Sequence, residues 1–226
     1  MILLRALVAA AAVLAAGCAT VTPQPQAVTT ETNANWDRQQ AAIVALLEWD
    51  LSGRFAIRTD QQTASANLRW IRTSTQDRIY LFGMLGGGKV QLEVAPESVV
   101  LRDATGQEYS GARVSEVLYR ATGWHVPFES LGSWLRGIPA ATEEIQSIEI
   151  TEDGKLRRLS QSGWDIDYRE FMTVGSLTLP KKINMIAQSQ TVQTLVEAGQ
   201  LQGDQLSIRF FVESWGGPVS SQEMDQ

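Results

Sequence analysis

Along much of the chain apolar and polar residues alternate with a period of two. Phe55 and Ile57 alternate with Arg54 and Arg58. Ala64, Ala66, Leu68 and Trp70 alternate with Ser65, Asn67 and Arg69, and Val90, Leu92 and Val94 with Lys89, Gln91 and Glu93. Later, Trp164, Ile166 and Tyr168 alternate with Asp165, Asp167 and Arg169, and Leu206, Ile208 and Phe210 with Gln205, Ser207 and Arg209. Successive side chains of a strand point to opposite faces, so this pattern predicts antiparallel strands with one apolar and one wet face. Shorter strands are predicted at 98–102, 145–150, 156–160, 181–187 and 192–196.

Elsewhere the period is helical. Trp36, Ile43, Leu46 and Leu47 predict an amphipathic helix over 36–47. Val114, Val117, Leu118 and Ala121 stand at helical spacing. Phe128, Leu131, Trp134 and Leu135 follow Pro127 and end before Gly137 and Pro139. The predicted order is one helix, about five strands, two helices and about six strands. The expected fold is mostly β with α: a single curved antiparallel sheet of about eleven strands covered by about three helices, within residues 36–215. No repeat and no second domain stands out.

The N-terminus changes the picture. Arg5 precedes the apolar run Ala6 to Ala16, which is too short to span a bilayer as a helix but fits the apolar core of a signal peptide. The small residues Ala15-Ala16-Gly17 lead into Cys18, in the manner of a lipobox, whose cysteine is acylated before cleavage. The usual leucine three residues before the cysteine is Ala15 here, with Leu14 one earlier. Cys18 is the chain's single cysteine. Exported domains normally use cysteines in pairs, so a lone one at this junction points to lipidation. The expected organisation is a signal peptide over 1–17, lipidated Cys18 with a Thr-, Pro- and Gln-rich tether over 18–35, the folded domain, and a flexible tail over 216–226.

Loss of Arg5 with the leader leaves 18 basic and 25 acidic residues, a net charge of −7. That balance gives no electrostatic reason for nucleic-acid binding. Ala19 follows the cysteine where an inner-membrane retention signal would place Asp, so the expected location is the outer membrane, facing the periplasm.

Catalytic chemistry is hard to assemble. Gly83 to Lys89 matches most of a phosphate-binding loop, but the next position is Val90 rather than Ser or Thr, and a strand follows instead of a helix. His125 is the only histidine, so any triad or histidine metal site would have to use it. Asp165 and Asp167 share a strand face, which a solvated face explains as well as paired acids would. No general acid or base has a convincing partner, and neither an enzyme nor a cofactor is expected.

Two apolar features stand out instead. Seven tryptophans are many for this length, and Trp70, Trp134 and Trp164 fall on inward faces. They either pack a core or line a cavity for an apolar ligand. The second feature is Phe82 to Gly88, between two strands, where a hairpin tip should be polar but carries Met84-Leu85 among glycines. It either folds back onto the core or projects as an apolar finger toward lipid.

Several stretches, in order, resemble the outer-membrane lipoprotein receptor family LolB. They are Leu85-Gly86 with Val90 to Val94, then Ala121 to Phe128, then Leu131, Trp134, Leu135 and Gly137-Ile138-Pro139. Gly163-Trp164 with Tyr168, and Leu179-Pro180 with Ile183 and Met185, complete the series. The resemblance implies an incomplete antiparallel barrel closed by helices, whose cavity holds acyl chains. It implies a monomeric receptor that accepts lipoproteins from the periplasmic carrier LolA and inserts them into the inner leaflet of the outer membrane. Leu85 matches the family's release leucine, with Met84 where the family often has proline. Leu68, Trp70, Leu131, Trp134, Trp164, Ile166 and Met185 are the expected cavity wall. Exposing an acyl chain costs about 0.8 kcal/mol per methylene, so lipoproteins must pass between apolar sites, downhill and without a nucleotide. Two other readings stay open: a lipoprotein that stores or senses a lipid or solute, and a structural envelope lipoprotein with a filled core.

Overall fold

A computed structural model describes residues 30–84 and 88–216. Cys18, Leu85, the leader, most of the tether and the tail from 217 lie outside the described residues, as does the side chain of Met84. Eleven strands form one antiparallel sheet among the described residues. The first six are β1 (Trp49–Thr59), β2 (Thr63–Arg72), β3 (Asp77–Met84), β4 (Gly88–Ala95), β5 (Ser98–Arg102) and β6 (Glu108–Gly111). The other five are β7 (Ile145–Ile150), β8 (Leu156–Gln161), β9 (Trp164–Val174), β10 (Leu177–Ala187) and β11 (Leu206–Gly216). Their spatial order is β6-β5-β4-β3-β2-β1-β11-β10-β9-β8-β7. Consecutive strands are neighbours everywhere except β6 and β7, which lie at opposite margins and are joined through helices, while β11 pairs with β1 and so joins two meanders. The outermost strands β6 and β7 do not pair with each other, so the sheet stays open, as expected for an incomplete barrel.

Four helices accompany the sheet, one more than predicted: α1 (Thr30–Val44), α2 (Val114–Thr122), α3 (Phe128–Leu135) and α4 (Ser189–Glu197). The strands divide as six, four and one around the helices rather than as five and six. Residues 192–196, read above as a short strand, belong to α4. Val192 is buried and Leu195 packs against the core while Gln193 and Thr194 face out, which is helical spacing. The first helix begins at Thr30, ahead of Trp36, because its opening turns are polar and carry no apolar period.

Alternation along each strand sends one row inward. Leu51, Phe55 and Ile57 on β1 and Ile208, Phe210 and Val212 on β11 are buried, and they meet Leu68 and Trp70 on β2 and Ile183 and Met185 on β10. A bulge between Ser52 and Gly53 bends β1 where it meets β11. A Cβ on Gly53 would run into the Phe211 carbonyl, so only glycine fits that close approach. Helix α2 packs on β5 and β6, α3 packs on α2, and α1 reaches β10 through Gln39, whose Nε2 donates to the Thr178 carbonyl at 2.7 Å. The core lies between the inward rows and these helices. No helix among the described residues is long and apolar enough to cross a membrane.

Candidate functional site

A cavity of about 40 Å³ lies under the helices, and its lining is entirely apolar. The sheet contributes Phe55 from β1, Leu68 and Trp70 from β2, Ile79 and Leu81 from β3, Val90 and Leu92 from β4, and Ile208 and Phe210 from β11. Above them stand Leu118 of α2, Trp124 and Val126 of the connection, and Phe128 and Leu131 of α3. Ligand pockets are typically about 300–1,000 Å³. This one is therefore filled by the protein's own side chains, chiefly the aromatic rings of the helical segment. Phe128 stacks on Trp70, with ring centroids 4.7 Å apart and planes 19° apart, and Trp124 meets Phe55 edge-on at 5.7 Å.

Local sequence explains how the segment is shaped. Gly123, at φ +73°, ends α2 in the left-handed region, and its N–H donates to the Tyr119 carbonyl at 2.7 Å. The chain then turns Trp124 inward and runs through Pro127 into α3. His125 faces the other way. Its ring stacks on Tyr119 at 4.2 Å and its Nε2 lies 3.3 Å from the Gln200 carbonyl. Half-burial pulls its pKa below the usual histidine value. It pins the connection.

Two arginines stand at the far end of α3. Arg136, just past α3, donates from Nε to the Gly132 carbonyl at 3.0 Å, and from Nη1 to Ile43 at 3.3 Å and Leu46 at 3.0 Å. Burial and the neighbouring Arg72 charge lower its pKa to about 10. Arg72 forks onto Asp77 at 2.6 and 2.7 Å and lies over the rings of Trp49 and Trp70. The clamp ties α3 to the C-terminal end of α1. The indole N–H groups of Trp49 and Trp70 are buried without a partner among the described residues.

Leu68, Trp70 and Leu131 line this cavity. Trp134, Trp164, Ile166 and Met185 do not: all four are buried in the core outside its lining. Trp134 is a polar pin there. Its Nε1 donates to Gln161 Oε1 at 2.8 Å, while Tyr168 Oη donates to the Trp134 carbonyl at 2.9 Å. Burial pushes the Tyr168 phenol upward. Gln161 is fully buried and also accepts from the Ala140 N–H and donates to the Ala140 and Glu143 carbonyls, each at 2.9 Å. The first half of α3 thus covers the cavity, and its second half is fixed in the core.

Eleven lining residues, among them Ile79, Leu81, Leu118, Trp124, Val126 and Phe128, were not placed at a cavity by the sequence. The helical spacing of Leu118 and Phe128 marks them as inward, whereas Trp124 and Val126 sit in a non-periodic connection. Asp165 accepts from Ser160 Oγ at 2.6 Å, and Asp167 pairs with Arg169, so the two carboxylates serve surface pairs. No group of acidic, histidine or cysteine side chains that could hold a metal occurs among the described residues.

The described residues thus form an open sheet with an all-apolar pocket beneath the helical segment. Comparison with known proteins places it further. The family model "Outer membrane lipoprotein LolB" matches residues 47–215, and the chain belongs to that family. Among its relatives, the outer-membrane lipoprotein LolB of Nitrosococcus oceani is 30% identical over 190 residues, 84% of this chain and 93% of the relative. That of Alkalilimnicola ehrlichii is 30% identical over 186 residues, 82% of this chain and 91% of the relative. Among solved structures, a LolA superfamily protein from Nitrosomonas europaea aligns over 86% of this chain and 97% of its own, with a TM-score of 0.49 at 5% identity. That likeness is too distant to bear on function.

Proposed function

We propose that this chain is an outer-membrane lipoprotein receptor that takes lipoproteins from the carrier LolA into its apolar cavity and releases them into the inner leaflet of the outer membrane. The observation that carries this reading is the cavity itself, lined only by apolar groups and shut by a lid of Leu118, Trp124, Phe128 and Leu131. A lid of side chains that fill the site when no ligand is present is a switch between two packings: rings in, or acyl chains in. The binding-competent form pays for lifting the lid, which keeps apolar surface from water between transfers.

Cys18, acylated, holds the domain at the membrane facing the periplasm, and Met84-Leu85 at the β3–β4 tip serves release. Burying one exposed leucine is worth roughly 1.5–3 kcal/mol, enough to bias contact with lipid but not to anchor the protein. The receptor works as a monomer. The test is transfer itself, from carrier loaded with labelled lipoprotein to this chain and then to vesicles. Leu85→Glu should leave uptake unchanged and slow release. Label that stays on a competent carrier in the presence of the folded chain would sink the receptor reading in favour of storage or a structural role.

A further inference from the structure

The hairpin of β3 and β4 has an outward face that the cavity does not use. Its inward row is Ile79, Leu81, Val90 and Leu92. Its outward row carries Tyr80 and Phe82 on β3, opposite Gln91 and Lys89 on β4. A solvent-facing strand row is normally polar, yet Phe82 is 40% exposed. The rings of Tyr80 and Phe82 stack with centroids 6.4 Å apart and planes 25° apart. Lys89 Nζ stands 4.4 Å from the Tyr80 ring centroid and 6.0 Å from that of Phe82. Among the described residues Lys89 has no carboxylate partner, whereas Arg102 on the neighbouring β5 pairs with Glu108 and Arg54 on β1 with Glu213.

These side chains are graded along the strand. Phe82 lies nearer the hairpin tip than Tyr80 by two residues, about 7 Å at the strand rise. On β3 the wholly apolar ring is therefore nearer the tip and the phenol stands behind it, while Lys89, level with Phe82 across the ladder, leans its ammonium back over the phenol ring. Aromatic rings with a polar handle, beside a long cation, are what the boundary between lipid tails and headgroups favours. An uncompensated lysine complements the anionic headgroups found there. A protein partner would not require that gradient of polarity.

We propose that Tyr80, Phe82 and Lys89 form a seating face that holds this hairpin at headgroup level on an anionic phospholipid surface, with Lys89 against lipid phosphate. The proposal rests on the release role given to the hairpin tip above. The face sets how deep and at what tilt the hairpin meets the bilayer.

The test uses the full lipidated chain in vesicles of phosphatidylethanolamine and phosphatidylglycerol. With Cys18 acylated, an introduced cysteine is the only free thiol. Asn67→Cys, opposite Phe82 on β2, and Arg158→Cys, on β8 near the other edge of the sheet, each carry an environment-sensitive fluorophore. The label at 67 should shift to the blue and resist an aqueous quencher, and the label at 158 should do neither. The Phe82→Ser/Lys89→Gln pair should abolish that difference and slow release several-fold, with uptake from the carrier intact. Equal quenching at 67 and 158 would overturn the proposal, as would release by the double variant at the wild-type rate while Leu85→Glu is slow. Loss of uptake with the vesicle signal retained would also overturn it, and make this a carrier-docking face. If Leu85→Glu itself releases normally, the release reading fails, and the label at 67 alone decides whether the face sits on lipid.

Discussion

Phe128→Ala separates a lid from a core. Phe128 is 7% exposed, stacks on Trp70 at 4.7 Å and fills space above the sheet in the empty form. Truncating a buried phenylalanine costs roughly 3–5 kcal/mol in lost transfer energy and cavity formation. For a domain of this size each kcal/mol moves the melting temperature by about 2–4 °C, so the empty variant should melt about 6–20 °C lower. An ordinary core residue would lose as much with ligand bound as without. Phe128 should not, because an entering acyl chain has already displaced its ring. Acyl ligand at saturation should therefore restore most of the lost stability, and apparent affinity should rise, since binding no longer works against ring packing. Calorimetry with and without a lauroyl-chain ligand, paired with direct titration, reads both quantities. An equal loss in both states, together with weaker binding, would refute the lid.

Three further outcomes follow from the polar contacts. Arg136→Met should cost about 2–3 kcal/mol, since it strips a charged donor from the Gly132, Ile43 and Leu46 carbonyls, and denaturant midpoints will show it. Because the native fold holds the Arg136 pKa down to about 10, the unfolded chain keeps its proton to higher pH. Relative to Arg136→Met, the wild-type chain should gain stability as pH rises above about 10 and show no such slope below that. His125 has the same sign at lower pH. Its pKa is depressed by burial, so the unfolded chain takes up a proton first as pH falls through the usual histidine range, and stability should drop there. His125→Gln should lack that component when urea midpoints at pH 7.5 and pH 5 are compared. Gln161→Leu should cost upwards of about 3 kcal/mol by leaving the Trp134 indole and the Ala140 and Glu143 backbone groups unpaired. Its affinity for acyl ligand should change little, because Gln161 lies outside the cavity lining.

Strand alternation carried most of the fold because each long strand has one dry face, as in Phe55-Ala56-Ile57 or Trp164 to Tyr168. On β6 neither face is dry, and there the signal vanishes. All four residues of β6 are exposed or half-buried, and nothing in Glu108 to Gly111 announces a strand. Val192 to Val196 misled because a short run holding two valines and a leucine fits strand and helix alike. The site was legible only in part, for a related reason. Periodicity tells which side chains point inward, but not where along the sheet the helices leave room. Leu68 and Met185 read the same way in sequence; one faces the cavity and the other is sealed in the core. Trp134 is committed to Gln161, twenty-seven residues away, a partnership that no local pattern reveals. The Arg136 clamp was missed for the same reason: two of its acceptors are the distant Ile43 and Leu46 carbonyls, at and just past the end of α1.

The unpaired edges β6 and β7 have a bearing on cargo selection. A closed barrel has a girth set by its strand number and stagger, and so measures what it holds. A sheet with two free margins sets no such girth. The space between sheet and lid can widen by splaying the margins, without breaking a ladder hydrogen bond. Lipoproteins carry acyl chains of mixed length and number, and a receptor of this shape would sort them by the presence of lipid, not by its size. Bridging β6 to β7 with a designed disulfide would turn a tolerant holder into a gauge.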